Sequence, residues 1–162
     1  MSRQSSPAGL ANEAATLGER LIVVATEAAI SLTPEDHAGR IVVLNLASTD
    51  GQVLTLPKST GSGDKYTVLN NVVQTQTIEI EALGADVITG SADMVHTTAV
   101  ATSAEAFQTT ATSDKLQWLG TDGTTGGKRG DRFEAWDIAA GTWLVKVTCF
   151  TTGAVATPFS AT

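Results

Sequence analysis

The side chains able to do chemistry are few and scattered. The chain holds two histidines, His37 and His96, and one cysteine, Cys149. Zinc sites draw on three or four histidine, cysteine or acidic ligands at close spacing. Neither histidine has a second histidine or cysteine near it in sequence. Gly61-Ser62-Gly63 reads as a turn, since it lacks the Gly-x-Ser-x-Gly pattern of a nucleophile elbow. A phosphate-binding loop needs lysine followed by serine or threonine at a helix start. In Gly126-Gly127-Lys128 the next residue is Arg129 and a strand follows, and the loop lacks the alternating acidic ligands of a calcium loop. Glu79 and Glu81 stand two apart, so a strand puts both on one face, where a solvated pair is the simpler reading than an acid–base pair. Arg129-Gly130-Asp131 is an integrin-type tripeptide, and its plainer reading is a charged turn before a strand. Trp118, Trp136 and Trp143 could form a sugar-stacking platform, yet in apolar strands they read first as core or interface. The sequence therefore predicts no catalytic, cofactor-binding or metal-ligating residue, no cofactor and no enzyme.

The elements around these residues read almost wholly as strands. Residues 116–150 carry all three tryptophans and the densest glycine cluster. They predict strands at 115–119, 131–137 and 142–150, with a glycine-rich loop at 121–130 and a tight turn at 139–141 that makes the last two strands antiparallel neighbours. Upstream, 21–25 is β-branched and 27–32 could continue it after a break. Pro34 marks a turn, and 40–47 (RIVVLNLA) is apolar on both faces, as a central strand is. Asp50-Gly51 predicts a hairpin from that strand to 53–56. Residues 66–70 form a further strand. In 75–82 the alternation is clean, with Ile78, Ile80 and Ala82 inward and Glu79 and Glu81 outward. A short strand at 86–89 is expected to end at Gly90, and 91–111 to form a long loop with one irregular strand. Phe159 is expected to dock rather than sit in a free tail.

Regular strands without interleaved helices predict an all-β fold, an antiparallel β-sandwich, jelly-roll-like or a barrel. The expected organisation is an extended N-terminal arm over 1–20, with a short helix or turn at 10–20 where alanine, leucine and glutamate favour helix and Gly18 interrupts it, and a single β domain over 21–162. The length of 162 residues suits one core. A net charge of −7 repels phosphate and argues against nucleic acid. No apolar run is long enough for a signal-peptide core or a membrane span, and a lone cysteine suits a reducing compartment. The expectation is a protein folded inside a cell that engages no membrane.

Three segments together resemble a known group. They are Leu56-Pro57-Lys58-Ser59-Thr60-Gly61-Ser62-Gly63, the turn Gly123-Thr124-Thr125-Gly126-Gly127-Lys128-Arg129-Gly130-Asp131, and Ala156-Thr157-Pro158-Phe159-Ser160, with Gly141-Thr142-Trp143-Leu144-Val145 between the last two. In order and spacing they are similar to small virion proteins of tailed bacteriophages, which carry an LPxxTGSG loop, a GGxxGD turn and an ATPFS terminus. The resemblance runs from about Thr33 to Ala161 and leaves the arm outside it. It implies an all-β structural protein on the outer capsid surface, made in the host cytoplasm. Such proteins look like homotrimeric capsid decoration, or cement, proteins that bind the major capsid protein and stabilise the head shell. Head-fibre, tail-fibre or spike modules are the alternative, and a carbohydrate-binding module is a further one. The arm over 1–20 is the expected shell-binding part, because short arms gain order on docking.

Overall fold

The computed structural model describes residues 22–25, 27–45, 51–97, 102–121, 123–152 and 154–161. The expected arm over 1–20 and Asp50 of the expected hairpin turn lie outside the described residues. The chain runs β1 (Ile22–Ala25), β2 (Ala29–Ser31), α1 (Pro34–His37), β3 (Ile41–Leu44), β4 (Gln52–Thr55), β5 (Lys65–Asn70), β6 (Thr77–Glu81), β7 (Val87–Thr97), β8 (Thr102–Gln108), β9 (Lys115–Leu119), β10 (Arg132–Ala139), β11 (Thr142–Thr151) and β12 (Phe159–Ser160). The fold is all-β. Its larger sheet has the order β1-β3-β5-β10-β11-β7-β8 and its smaller one β12-β9-β6-β4-β2.

The strand pairing is mixed, which corrects the expectation of antiparallel pairing throughout. In the first half, successive strands alternate between sheets. β1, β3 and β5 pair in parallel in the larger sheet, while β2, β4 and β6 pair in parallel in the smaller. The chain thus winds three times round one core as a two-sheet coil. The register stacks like on like, with Val42 beside Val68 and Ile30 beside Leu54 beside Ile80. The expected hairpin between β3 and β4 is therefore wrong: the two strands lie in different sheets. Likewise 27–32 supplies β2 of the second sheet rather than an extension of β1.

The second half closes the sheets. β10 and β11 form the expected antiparallel pair and fill the space between β5 and β7, so β7 meets β11 in parallel. β9 belongs to the other sheet, beside β6, so the expected three-stranded tryptophan meander is split across the core. β12 pairs with β9 and docks Phe159, 7% exposed. The expected loop over 91–111 is instead the end of β7 paired with β8. Gly90 does not stop β7. A Cβ there would lie 1.9 Å from the Val145 carbonyl oxygen, so glycine marks where β11 passes close.

One core joins the faces. Val42, Leu44, Tyr66, Val68, Phe133, Trp143 and Val147 from the larger sheet meet Leu54, Ile78, Ile80, Leu116 and Trp118 from the smaller. Burying a side chain of this size contributes about 1.5–3 kcal/mol. Trp118 Nε1 donates to Cys149 Sγ at 3.0 Å, linking β9 to β11. Burial, with the nearby Asp131 carboxylate, pushes the Cys149 thiol well above its ordinary range, so it is a core group rather than a nucleophile.

Candidate functional site

The coil corners matter most, because each returns the chain from the smaller sheet to the larger. In the first return Thr33 caps α1, its Oγ1 accepting from the Asp36 N–H at 3.3 Å. His37 Nδ1 accepts from the Thr33 N–H at 3.0 Å, which gives this histidine a local structural role. The second return is the Leu56–Asp64 segment, which holds the first resemblance motif.

That corner is built round two buried carboxylates. Asp137, on β10 and 3% exposed, accepts from the backbone N–H groups of Thr60 (3.0 Å), Gly61 (2.7 Å) and Ser62 (3.0 Å). The hydroxyls of Thr60 and Ser62 add bonds of 3.1 and 2.9 Å. Successive N–H groups turned to one point form an anion nest, and here the protein's own aspartate fills it. Burial alone would raise the Asp137 pKa, but these donors outweigh it and bring it down to about 2. Asp86, 1% exposed, holds the start of the same corner. It takes the Lys58 ammonium at 2.6 Å, the Ser59 N–H at 2.7 Å and the Ser59 hydroxyl at 3.0 Å. Its burial is likewise outweighed, and its pKa falls below the ordinary value.

At the opposite end of β10, the Gly126–Asp131 turn closes on Asp131, which is fully buried. Its carboxylate accepts from the N–H groups of Lys128 (2.8 Å) and Phe150 (2.7 Å), with Gly127 a third donor. Burial dominates and the pKa rises to about 6. A buried Asp131 cannot be presented to a receptor, so the Arg129-Gly130-Asp131 tripeptide is a structural turn.

The remaining candidates resolve in the same way. Ile78, Ile80 and Ala82 are buried as expected, while Glu79 and Glu81 are half-buried and bonded to Gln117 and Thr55 across the sheet. Trp118 and Trp143 are at most 1% exposed, so the three indoles form no platform. Trp136 alone is half-exposed, with the Lys65 ammonium 4.8 Å from its ring centroid, a cation–π contact.

Trp136 faces a groove of about 410 Å³ lined by Gly61, Ser62, Gly63, Asp137, Ile138 and Leu144. Leu144 sits opposite Trp136 in the ladder, and Ile138 and Leu144 are 49% and 41% exposed. Asp137 and the Ser62 hydroxyl are already bonded within the corner, so the groove offers chiefly apolar surface. Leu83, 45% exposed, lies on the neighbouring Ala82–Asp86 turn, which Asp86 ties to Lys58 and Ser59. The motif residues were legible as loops, but their partners Asp86 and Asp137 were not. An aspartate just before an apolar strand and one within a strand carry no local signal of a bond to a distant loop.

Comparison with protein-family models, with curated proteins and with solved structures returned no match.

Proposed function

We propose that the protein is a structural component of a tailed-bacteriophage particle: a homotrimeric decoration protein, made in the host cytoplasm, that binds the major capsid protein on the outer head surface and stabilises the shell. The observation that supports it is the character of the corner formed by the first motif. Its carboxylates, hydroxyls and N–H groups are engaged in holding loops, and beside them lies exposed apolar surface at Trp136, Ile138 and Leu144. Such a surface suits binding rather than turnover. A ligand that binds only the assembled shell stabilises it by linkage.

The test joins mass to binding. Light scattering at micromolar concentration is expected to give three chains of 16.7 kDa per particle. Heads assembled without this protein should pellet it, and Leu144→Lys should fold normally yet lose at least tenfold in affinity, about 1.4 kcal/mol. A stable monomer that heads never pellet would overturn the reading.

The parallel winding of β1 to β6 favours a second reading, a head-fibre, tail-fibre or spike module, because a coil that adds rungs along an axis suits an elongated part. Antibody labelling of particles separates the two: label on the head supports decoration, label confined to the tail supports a fibre or spike.

A further inference from the structure

Two carboxylates from outside the loop grip a single short segment. Among the described residues, loop 58–64 makes few backbone bonds to the sheets. At its end Gly63 N–H donates to the Asp137 carbonyl and Asp137 N–H to the Asp64 carbonyl, both at 2.9 Å; nearer its start Gly141 N–H reaches the Ser59 carbonyl at 3.5 Å, and Thr60 forms an isolated bridge with Ala140. Against this, Asp86 and Asp137 take the N–H groups of four consecutive residues, Ser59 to Ser62. The loop is thus mounted on charge, whereas the strands on either side are mounted on ladders and apolar packing. It also forms one wall of the groove at Trp136.

We propose that loop 58–64 is an acid-released latch: protonating Asp137 and Asp86 frees it as a unit and opens the groove wall while the two sheets stay paired. A neutral carboxyl accepts the same N–H bonds far more weakly, so the grip depends on ionisation. The groups that face the two carboxylates fit this. The titratable group that interacts with Asp137 is Tyr66 of β5; around Asp86 the charged partner is Lys58. Tyr66 is pushed up to about 12 by burial and by Asp64, Asp137 and Glu35 of α1, so it stays neutral throughout. β11 sets Trp143, which does not titrate, opposite Asp137. No ammonium or guanidinium is paired with Asp137 among the described residues, so neutral donors, three backbone N–H groups and two hydroxyls, hold its charge.

A carboxylate lowered in the folded state stabilises it above the unfolded pKa, and that stability is lost as pH falls through the folded pKa. For Asp137 the window runs from about 4 down to about 2. Asp131 has the reverse shift and supports the far end of β10 when neutral, which favours local release over global unfolding in acid. The latch goes beyond the particle reading and is tested on the free protein.

Amide hydrogen exchange by nuclear magnetic resonance reads it directly. In Asp137→Asn/Asp86→Asn at neutral pH, the amides of Ser59, Thr60, Gly61 and Ser62 are expected to lose at least about tenfold protection, while Ala135 and Val145 keep theirs. Retained loop protection, or equal loss in loop and strands, would overturn the latch. Should the double variant not fold, wild-type protein titrated from pH 5 through pH 2 to about pH 1 decides. The Thr60, Gly61 and Ser62 amide shifts must then follow a carboxyl titration while β10 and β11 stay protected. Shifts that do not move, or that move only as the whole chain unfolds, would sink it.

Discussion

The loop at Thr60–Gly63 and the loop at Gly126–Gly130 both close on an aspartate, one within β10 and one immediately before it, yet the two acids shift in opposite directions. Asp137 lies near the surface corner and gathers three N–H groups and two hydroxyls, and its pKa falls to about 2. Asp131 lies in the core beside Cys149 with N–H donors from Gly127, Lys128 and Phe150, and its pKa rises to about 6. Donor number against burial decides the sign. The first loop is held by charge, while the second is held by close packing with the charge as a cost. That difference separates a part that acid can release from one that acid tightens.

Packing is the larger effect, and glycine substitution exposes it. Gly126 and Gly127 have φ of 115° and 88°. A Cβ on Gly126 would stand 2.7 Å from Trp118 Cδ1 and 2.8 Å from Asp131 Oδ2; one on Gly127 would stand 2.7 Å from Gly120 Cα. Each alanine therefore adds overpacking to strain, on the order of 2–4 kcal/mol together. Gly63, in the charge-held loop, has φ of 81° but nothing within 4 Å of its Cβ position, so Gly63→Ala should cost only about 1 kcal/mol. Thermal melting of the three single variants checks the order. Equal losses would mean the second loop is no tighter than the first.

The next effect is electrostatic. Because the folded pKa of Asp131 is raised, its contribution is fully present below the unfolded pKa near 4 and is lost as pH rises through about 6. Wild-type stability should therefore fall between pH 4 and pH 6 by on the order of 2 kcal/mol from this group. Asp131→Asn removes the titration and should flatten that slope, whereas Asp137→Asn should leave it in place. Urea midpoints measured at pH 4, 5, 6 and 7 give the slopes. A slope unchanged by Asp131→Asn would show that burial there does not control its ionisation.

The same contrast explains how much was legible in the sequence. Strand positions came from alternation and β-branching, which are local: Ile78, Ile80, Phe159 and the β10–β11 pair read correctly. Pairing was not local. Asp50-Gly51 looks like a hairpin turn, but nothing near it records that β4 is already matched to β2 and β6 in the other sheet. Gly90 and Ser91 look like breakers because small residues are poor strand formers; they serve where β7 lies against β11. At the candidate site both motif loops were visible through glycine and polar runs. The carboxylates that organise the first corner stand 27 and 77 residues from the loop positions they bind, so no spacing rule reaches them.

The smallest expected effect tests whether the charge-held corner depends on its exposed cation or on its backbone donors. Lys58 Nζ lies 2.6 Å from Asp86 Oδ1, but the lysine side chain is 62% exposed while that of Asp86 is 1% exposed. An exposed ammonium is well solvated and flexible, so such a pair contributes only about 0.2–1 kcal/mol. Oδ2 of Asp86 keeps the Ser59 N–H and hydroxyl whether or not the lysine is there. Lys58→Met should therefore cost less than about 1 kcal/mol at low salt, and the cost should shrink further in 1 M salt, where charge is screened within about 3 Å. Asp86→Ala at the same corner strands the Ser59 N–H and should cost more, about 1–3 kcal/mol, with little dependence on salt. Urea midpoints of the two variants at low and high salt give the comparison. A larger loss from Lys58→Met than from Asp86→Ala would move the grip from backbone donors to the cation and weaken the contrast between the two loops.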